Sequence, residues 1–343
     1  MRAFFSSADP SKPLSAPSLQ QRPDWFIPER QATPESVWLN RRGLMKGLGG
    51  AAIMAAASGG AGRANAAEGV GGAAEKTADL YPAERNEAYK IERELTPEEV
   101  NSSYNNFYEY GSHKQIAAAA RRNLVTDPWS ITIDGLVDNP ETIAFEDLVR
   151  AMPLEERLYR LRCVEAWSMT IPWTGFPLRA LLARVSPRPE ARYVRFETFE
   201  NAKMASGQRQ IWYPWPYVEG VTLAEAQNDL SFLVTGAYGK PIGAEYGAPI
   251  RLALPWKYGF KSIKSLVRIS FTDERPVSFW EQINAREYGF WANVNPEVAH
   301  PRWSQARERV LHTREEVPTQ LFNGYGAQVA GLYAGLENEA LYR

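Results

Sequence analysis

The sequence predicts an α+β domain with mixed β-sheets and short helices. Several short runs alternate apolar and polar residues with a period of two, and each is bounded by Pro, Gly or Asp, as β-strands usually are. Stretches with helical spacing separate these runs. No G-x-G-x-x-G occurs at a strand-to-helix turn, and no phosphate-loop motif is present, so the nucleotide-binding α/β folds have no support. An α+β arrangement therefore fits best.

Five runs carry the strand pattern: 129–137, 159–167, 191–199, 249–256 and 263–271. Three helical stretches lie between them, at 144–152, 177–185 and 222–229. Before the first strand, Thr96 is followed by Pro97 and then by Glu99, which could close a capping box, so a helix is expected to start there. Roughly the last 70 residues alternate aromatic residues with polar spacers, which predicts loops and short helices over the core.

Length and charge narrow the class of protein. With 343 residues, of which 44% are apolar, the chain can bury a large core in one big domain or two ordinary ones. The formal net charge is −1. A nucleic-acid-binding protein needs a basic surplus to neutralise phosphates, so no nucleic-acid partner is expected.

The N-terminal 66 residues have the order of a twin-arginine signal peptide. Arg41-Arg42 precedes a weakly apolar run of Gly and Ala at 47–62, and Ala64-Asn65-Ala66 resembles a cleavage site. A membrane anchor is the alternative, but the run is shorter than the roughly 20 residues of a spanning helix. We therefore expect export to the periplasm as folded cargo. Residues 67–95, rich in Ala, Gly and Glu, are predicted to form a flexible tether, and 96–343 the main domain.

Cys163 is the single cysteine of the chain, which is unusual for an exported protein. It could be a small buried apolar residue in a strand. It could be a nucleophile, although His113, His300 and His312 are all distant in sequence. It could also ligate a metal as a thiolate. One cysteine cannot complete a zinc or iron–sulfur site, so this third role needs a cofactor that supplies the other ligands, as a pterin dithiolene does for molybdenum.

Two other stretches could bind a ligand. Four cations fall within 14 residues beside a Gly/Ser turn: Arg251, Lys257, Lys261 and Lys264. They predict either a phosphate cradle or a solvated face. The loop 103–111 places adjacent Asn residues among aromatic ones, which is typical of a site for a planar polar group but equally of an ordinary turn.

Taken together, these stretches resemble the MsrP (YedY-type) family. The resemblance rests on YNNFYEYG at 104–111, RCVEAWSMTIPWTGFPL at 162–178 and GAPIRLALPWKYGFKSIKS at 247–265, with further blocks at 288–306 and 321–330. It extends from the Arg pair almost to the C-terminus. It implies a periplasmic catalytic subunit of a protein-methionine-sulfoxide reductase, with a sulfite-oxidase-type molybdopterin-binding domain at 96–343.

The resemblance implies one molybdopterin whose molybdenum is ligated by Cys163. It also implies contacts from four further stretches of the chain. The matching positions are Asn105, Tyr108 and Glu109 in the first loop, Thr198 at a strand end, Tyr246 and Arg251, and Ser262, Ile263 and Lys264 around the pterin phosphate. At position 246 this sequence has Tyr where a relative in the family has Asn, and a phenol cannot reproduce the amide's donor and acceptor. Tyr288, Trp291 and Asn293 are candidates for the substrate pocket.

The implied activity is reduction of methionine sulfoxide in oxidised periplasmic proteins by oxygen-atom transfer to molybdenum. Electrons would come from a haem-bearing membrane subunit of the MsrQ type, on which a monomeric chain would dock. One alternative is another reaction on the same fold, such as sulfite oxidation or reduction of small S- or N-oxides. A second alternative is a binding or folding factor that has no enzymatic activity.

Overall fold

Two β-sheets organise residues 72–343, the part of the chain that the computed structural model describes. The predicted signal peptide at 1–66 lies outside the described residues. In the five-stranded sheet the strands follow the order β2 (Glu141–Ala144), β1 (Ser130–Gly135), β10 (Leu266–Thr272), β5 (Tyr193–Thr198) and β6 (Val218–Thr222). β1 and β10 are parallel and the other neighbours antiparallel, so the predicted mixed sheet is confirmed.

The seven-stranded sheet surrounds the longest strand, β4, which spans Trp167–Pro177. Its order is β12 (Glu316–Pro318), β11 (Arg307–Val310), β4, β7 (Phe232–Ala237) and β8 (Lys240–Pro241); β3 (Glu155–Arg162) also pairs with β4, and β9 (Arg251–Ala253) with β7. All eleven residues of β4 are buried. The sequence analysis missed β4 because a strand buried on both faces shows no alternation, and its prolines discourage a strand assignment.

The three predicted helices are confirmed, although each is shorter than the stretch that the pattern suggested. They are α4 (Phe145–Arg150), α5 (Leu178–Val185) and α6 (Leu223–Gln227). α6 begins with a capping box in which the Thr222 side chain accepts the Glu225 N–H and the Glu225 side chain accepts the Thr222 N–H. The remaining helices are α1 (Gly72–Thr77), α2 (Glu98–Ser103), α3 (Ala117–Asn123), α7 (Phe279–Asn284) and α8 (Gly326–Val329), with 3₁₀ turns at Ala78–Leu80, Ser206–Arg209, Ala244–Tyr246, Gly259–Lys261, Leu321–Gly324 and Ala330–Tyr333.

The expected helix start after Thr96 is correct, but its predicted capping box does not form. α2 begins at Glu98, and no side chain caps it. The Thr96 hydroxyl instead accepts the N–H of Thr170, in β4, at 3.0 Å. Thr96 is fully buried, so this tertiary hydrogen bond replaces the local one.

The described part of the predicted tether, residues 72–95, packs against the domain rather than apart from it. Ala73 in α1 is buried, and the Tyr81 hydroxyl donates to the carbonyl of Thr235 in β7 at 2.9 Å. Arg93 forms an ion pair of 2.9 Å with the buried Glu308 of β11. Composition alone does not reveal such long-range contacts, so the ordered domain begins before residue 96.

The C-terminal region combines the predicted loops and short helices with a hairpin that the sequence analysis did not predict. β11 and β12 pair antiparallel, and β11 continues the sheet parallel to β4. This pairing brings the segment around Gln305 and Glu308 next to the end of β3. Within residues 72–343, no helix is both long and apolar enough to cross a membrane.

We predict that Gly175→Ala destabilises the protein, because a Cβ at residue 175 would lie 2.0 Å from the carbonyl oxygen of Leu233. The pairing register of β4 with β7 shifts at this point, so the two backbones approach closely. The free energy of unfolding, measured by urea denaturation, should fall by about 1–3 kcal/mol.

Gly331→Ala is the matched control, because nothing lies within 4 Å of a Cβ built at that position. It should leave the unfolding midpoint unchanged. Equal stability of the two variants would contradict the close approach of β4 and β7.

Candidate active site

One cavity of about 550 Å³ is lined by β3, β4 and β9 of the seven-stranded sheet and by the loops around residues 105, 163, 213, 260 and 288. Its volume is in the range of small-molecule and cofactor sites. Nine of the ten predicted site residues line it: Asn105, Tyr108, Glu109, Cys163, Tyr246, Arg251, Ser262, Ile263 and Lys264. The structure therefore brings together side chains that are up to 159 positions apart, as the span from 105 to 264 shows.

Cys163 lies in a tight turn between β3 and β4, and not inside a strand as predicted. β3 ends at Arg162, and the turn closes with the Cys163 N–H donating to the Trp167 carbonyl at 2.9 Å. Ala166 adopts a left-handed φ of 61° to complete the turn. The Arg162 guanidinium donates to the Cys163 carbonyl, so the backbone that carries the thiol is held from both sides.

The Cys163 thiol is only 5% exposed and faces the cavity. The Asn106 amide donates to its sulfur at 3.6 Å, and the Glu165 N–H does so at 3.5 Å. Burial, with a smaller contribution from the negative charge of Glu165, raises the pKa of Cys163 to about 12. Without a cation or metal at the sulfur, the group is therefore a thiol at neutral pH.

A polar group that the sequence analysis did not single out lies beside the thiol. The Glu165 carboxylate pairs with Lys114 at 2.7 Å and accepts the Trp167 indole N–H at 2.9 Å. Burial acts to raise the pKa of Glu165, but the hydrogen bonds from Lys114 and Trp167 outweigh it and leave that pKa below its ordinary value. A fixed carboxylate thus lies on the cavity wall. Its position in RCVEAW, two residues after the cysteine, was the available signal.

The four cations of the 251–264 stretch divide into two kinds. Lys257 and Lys261 are fully buried and form ion pairs of 2.6 Å with Glu225 and 2.5 Å with Glu219. Neither lines the cavity, and neither lies on a solvated face. Their charges are matched by carboxylates, which is what burial of a charge requires.

Arg251 is also buried, but it lies at the cavity and pairs with no carboxylate among the described residues. Its guanidinium donates only to carbonyls, including those of Tyr246 at 3.0 Å and Ser262 at 2.9 Å. Burial lowers the pKa of Arg251 to about 10. A buried cation held only by dipoles favours an anion next to it.

Lys264 is the second cation at the cavity without a carboxylate partner in the described region. Its ammonium group donates to the Asn106 carbonyl and lies 5.0 Å from the centre of the Phe107 ring. Burial, reinforced by the charge of Arg251, lowers the pKa of Lys264 well below its usual value. Two cations that repel each other at one end of the cavity make that end a site for an anion.

Two other predicted residues offer polar groups to the cavity. Burial raises the pKa of Glu109 to about 7, so its carboxyl can be a donor or an acceptor near neutral pH. The Tyr246 hydroxyl is buried and has no hydrogen-bond partner in residues 72–343. Such an orphaned group is costly unless a ligand satisfies it.

Thr198 is the one predicted residue that does not line the cavity. It ends β5, as predicted, but its buried hydroxyl donates to the Ser265 carbonyl at 3.1 Å. It therefore supports the segment that carries Lys264, and its contact with a cofactor stays a prediction.

Aromatic side chains form the mouth of the cavity. They are Tyr213, Trp280, Tyr288 and Trp303, with Arg302 among them. Of the predicted pocket candidates, Tyr288 lines the cavity, whereas Trp291 and Asn293 do not. The buried Lys257 donates hydrogen bonds to both residues, to the backbone carbonyl of Trp291 and to the side-chain carbonyl of Asn293. No histidine lines the cavity, so the nucleophile interpretation of Cys163 finds no imidazole base there.

Comparisons with known proteins found a family model, a relative and a solved structure that match this chain. Residues 117–280 match the model of the oxidoreductase molybdopterin binding domain. The protein-methionine-sulfoxide reductase catalytic subunit MsrP of Pseudomonas syringae pv. tomato is 48% identical over 320 residues, which cover 90% of this chain and 95% of that protein. The crystal structure of the sulfane dehydrogenase SoxCD from Paracoccus pantotrophus matches with a TM-score of 0.41 and 16% identity, over 64% of this chain and 57% of that one.

We expect the Cys163 thiol of cofactor-free folded protein to react slowly with iodoacetamide at pH 8. A rise in pKa from 9.0 to about 12 lowers the thiolate fraction about a thousandfold, and the thiolate is the nucleophile. Because the chain has one cysteine, the mass of the intact protein reports labelling at this site alone.

The same protein in urea provides the control, and its thiol should be alkylated at least about a hundredfold faster. Equal rates in the folded and unfolded states would contradict the buried, protonated thiol.

Proposed function

The chain belongs to the family of protein-methionine-sulfoxide reductase catalytic subunits, and we propose that it reduces methionine sulfoxide residues of oxidised proteins to methionine with a bound molybdopterin. The family match confirms the predicted molybdopterin-binding domain. The observation that carries the proposal is a single cavity with a soft thiol near one end and two cations without carboxylate partners. Such a cavity suits a metal-bearing ligand with an anionic tail.

The residues present fit a molybdopterin. Arg251 and Lys264 would bind its phosphate, because charge-assisted hydrogen bonds to phosphate would neutralise both cations. Asn105, Glu109 and the orphaned Tyr246 hydroxyl would meet the polar edge of the pterin. Tyr246 lacks the amide of the family pattern, but its hydroxyl is available to donate or accept one hydrogen bond.

Cys163 would ligate molybdenum through its sulfur. A soft metal selects thiolate and holds it deprotonated, which would offset the unfavourable burial that raises the pKa of the thiol. When bound, the cofactor supplies the two-electron oxygen-atom-transfer chemistry. The turn that Arg162 holds would set where the sulfur points before the cofactor arrives.

The chain's own residues would bind and orient the substrate. Tyr213, Trp280 and Tyr288 at the mouth can pack against the apolar carbons of the methionine sulfoxide side chain and exclude water. The Asn106 amide, 3.6 Å from the Cys163 sulfur, is a donor that can hydrogen-bond a sulfoxide oxygen. The overall conversion consumes two electrons and two protons and releases the oxygen as water.

We propose that the electrons come from a partner subunit. The term "catalytic subunit" in the name of the relative supports the existence of a partner. A haem-bearing membrane subunit of the MsrQ type, with the chain as a monomer docking on it, stays a prediction from the sequence resemblance. The Arg41-Arg42 sequence supports export by the twin-arginine pathway to the periplasm, where the enzyme would repair oxidised proteins.

Purified holoenzyme should contain molybdenum near one atom per chain and should reduce a protein that contains methionine sulfoxide, with a reduced viologen dye as electron donor. Turnover of sulfite under oxidising conditions should be much slower. Cys163→Ser should lose turnover, because a hydroxyl is a harder and poorer ligand for molybdenum.

If the enzyme prefers sulfite, its reaction is an oxidation on the same fold and not the proposed reduction. Absence of molybdenum from the wild-type protein would argue instead for a binding protein without enzymatic activity.

Arg251→Ala should release the cofactor more readily, because it removes the buried guanidinium that would bind the phosphate. We expect molybdenum and pterin content after gel filtration to fall at least about tenfold, as loss of a charge-assisted bond of about 1.5–3 kcal/mol implies. Arg122→Ala is the control, since Arg122 is exposed and outside the cavity. Equal cofactor content in the two variants would contradict a phosphate site at Arg251.

A further inference from the structure

The loop that follows β5 presents two apolar side chains to solvent beside the cavity mouth. Ile211 is 94% exposed and Trp212 is 71% exposed, the two highest values among the large apolar residues of the described region. Tyr213, the next residue, lines the cavity. We define Ile211, Trp212 and Tyr213 as the apolar ledge. Apolar side chains held in water next to a binding cavity are typical of an interaction site.

The ledge belongs to a loop that is fastened at several points. Gly207 donates its N–H to the Glu109 carbonyl at 2.7 Å, and a Cβ there would lie 2.1 Å from the Tyr108 carbonyl oxygen. The Gln208 side chain donates to the Phe199 carbonyl at 2.7 Å. On the other side, the Tyr217 hydroxyl donates to the Phe260 carbonyl at 2.7 Å. The loop is thus tied to the cavity wall while its apolar tip faces outward.

Aromatic contacts connect the ledge with the mouth. The Tyr213 ring lies 6.2 Å from the Trp212 ring and 6.4 Å from the Trp280 ring, which also lines the cavity. Trp280 belongs to α7, and Ile283 follows it by three residues on the same side of that helix. Ile283 is 38% exposed. Apolar surface therefore continues from the ledge across the mouth to α7.

We propose that this surface binds the polypeptide on either side of the oxidised methionine, through apolar side chains of that polypeptide. The inference deepens the proposed function and rests on it. A sulfoxide that is part of a protein can enter the cavity only if the flanking backbone crosses the mouth, and the ledge is continuous with the mouth. Methionine occurs mostly in apolar surroundings, so a segment that exposes an oxidised methionine presents apolar neighbours too.

The test compares peptide with free amino acid on the holoenzyme, with a reduced viologen as electron donor so that no partner protein is present. The substrates are a 15-residue peptide that carries one methionine sulfoxide between leucines, the same peptide with serines in place of those leucines, and free methionine sulfoxide. Trp212→Ala should raise KM for the leucine peptide about tenfold, since a buried Trp is a frequent hot spot, and leave its kcat within twofold. The serine peptide should show a smaller rise in KM.

For free methionine sulfoxide, kcat/KM of Trp212→Ala should stay within twofold of the wild type. Trp212→Phe should restore most of the affinity for the leucine peptide. Leu321→Ala is the control, since Leu321 is 46% exposed and does not line the cavity, and it should match the wild type on all three substrates.

Three results would overturn the inference. The first is an unchanged KM of Trp212→Ala for the leucine peptide. The second is an equal rise for free methionine sulfoxide, which would place Trp212 in the cavity itself. The third comes from repeating the assay with a haem-bearing donor subunit in place of the viologen: a defect that appears only in that second assay would assign the ledge to the donor subunit. Failure of the wild type on every sulfoxide would instead refute the proposed function, so the two failures are distinct.

Discussion

The buried ion pair between Arg162 and Glu308 is the interaction on which the rest of the site depends. It joins the end of β3 to β11 with a distance of 3.0 Å, and both side chains are almost fully buried. The same guanidinium donates to the Gln305 side chain at 2.8 Å and to the Cys163 carbonyl. One cation thus connects the central sheet, the C-terminal hairpin and the turn that presents the thiol. Removing one partner of such a pair typically costs about 3–5 kcal/mol.

The buried cations near the cavity differ in whether a carboxylate neutralises their charge. Where a cation has only a structural role, a carboxylate neutralises it, as Glu225 does for Lys257 and Glu219 for Lys261. Arg251 and Lys264, which face the cavity, contact carbonyl groups in place of carboxylates. Carbonyl dipoles orient a cation but do not cancel its charge, so the unmet charge is available to an anionic ligand.

The inner end and the mouth of the cavity are lined by different kinds of side chain. The inner end combines a thiol with cations and polar groups suited to a cofactor, while the mouth is lined by aromatic rings. The ring of Trp280 packs edge-on against Tyr108 at 4.8 Å, so a mouth residue directly contacts a predicted pterin-contact residue. Packed side chains therefore link the mouth to a residue that is predicted to contact the pterin.

Much of the fold was predictable from local sequence patterns, and most of the site from the family resemblance. Alternation revealed β1 and β5, and helical spacing at 222–229 predicted α6. The resemblance to the MsrP family selected the nine residues that share the cavity. β4 was missed because full burial removes the alternation that a local pattern needs.

Tertiary structure alone decided what depends on distant partners. The four cations of 251–264 look alike in sequence, yet two pair with Glu219 and Glu225 and two do not. Cys163 was expected in a strand, but β3 ends at Arg162 and Cys163 lies in a turn. At this point Arg162 contacts Glu308, which is 146 positions away in the sequence. The sequence by itself determined which chemical groups are available. Only folding decided which of them are neutralised and which stay available, because the free energy of a buried charge depends on neighbours that the chain order does not specify.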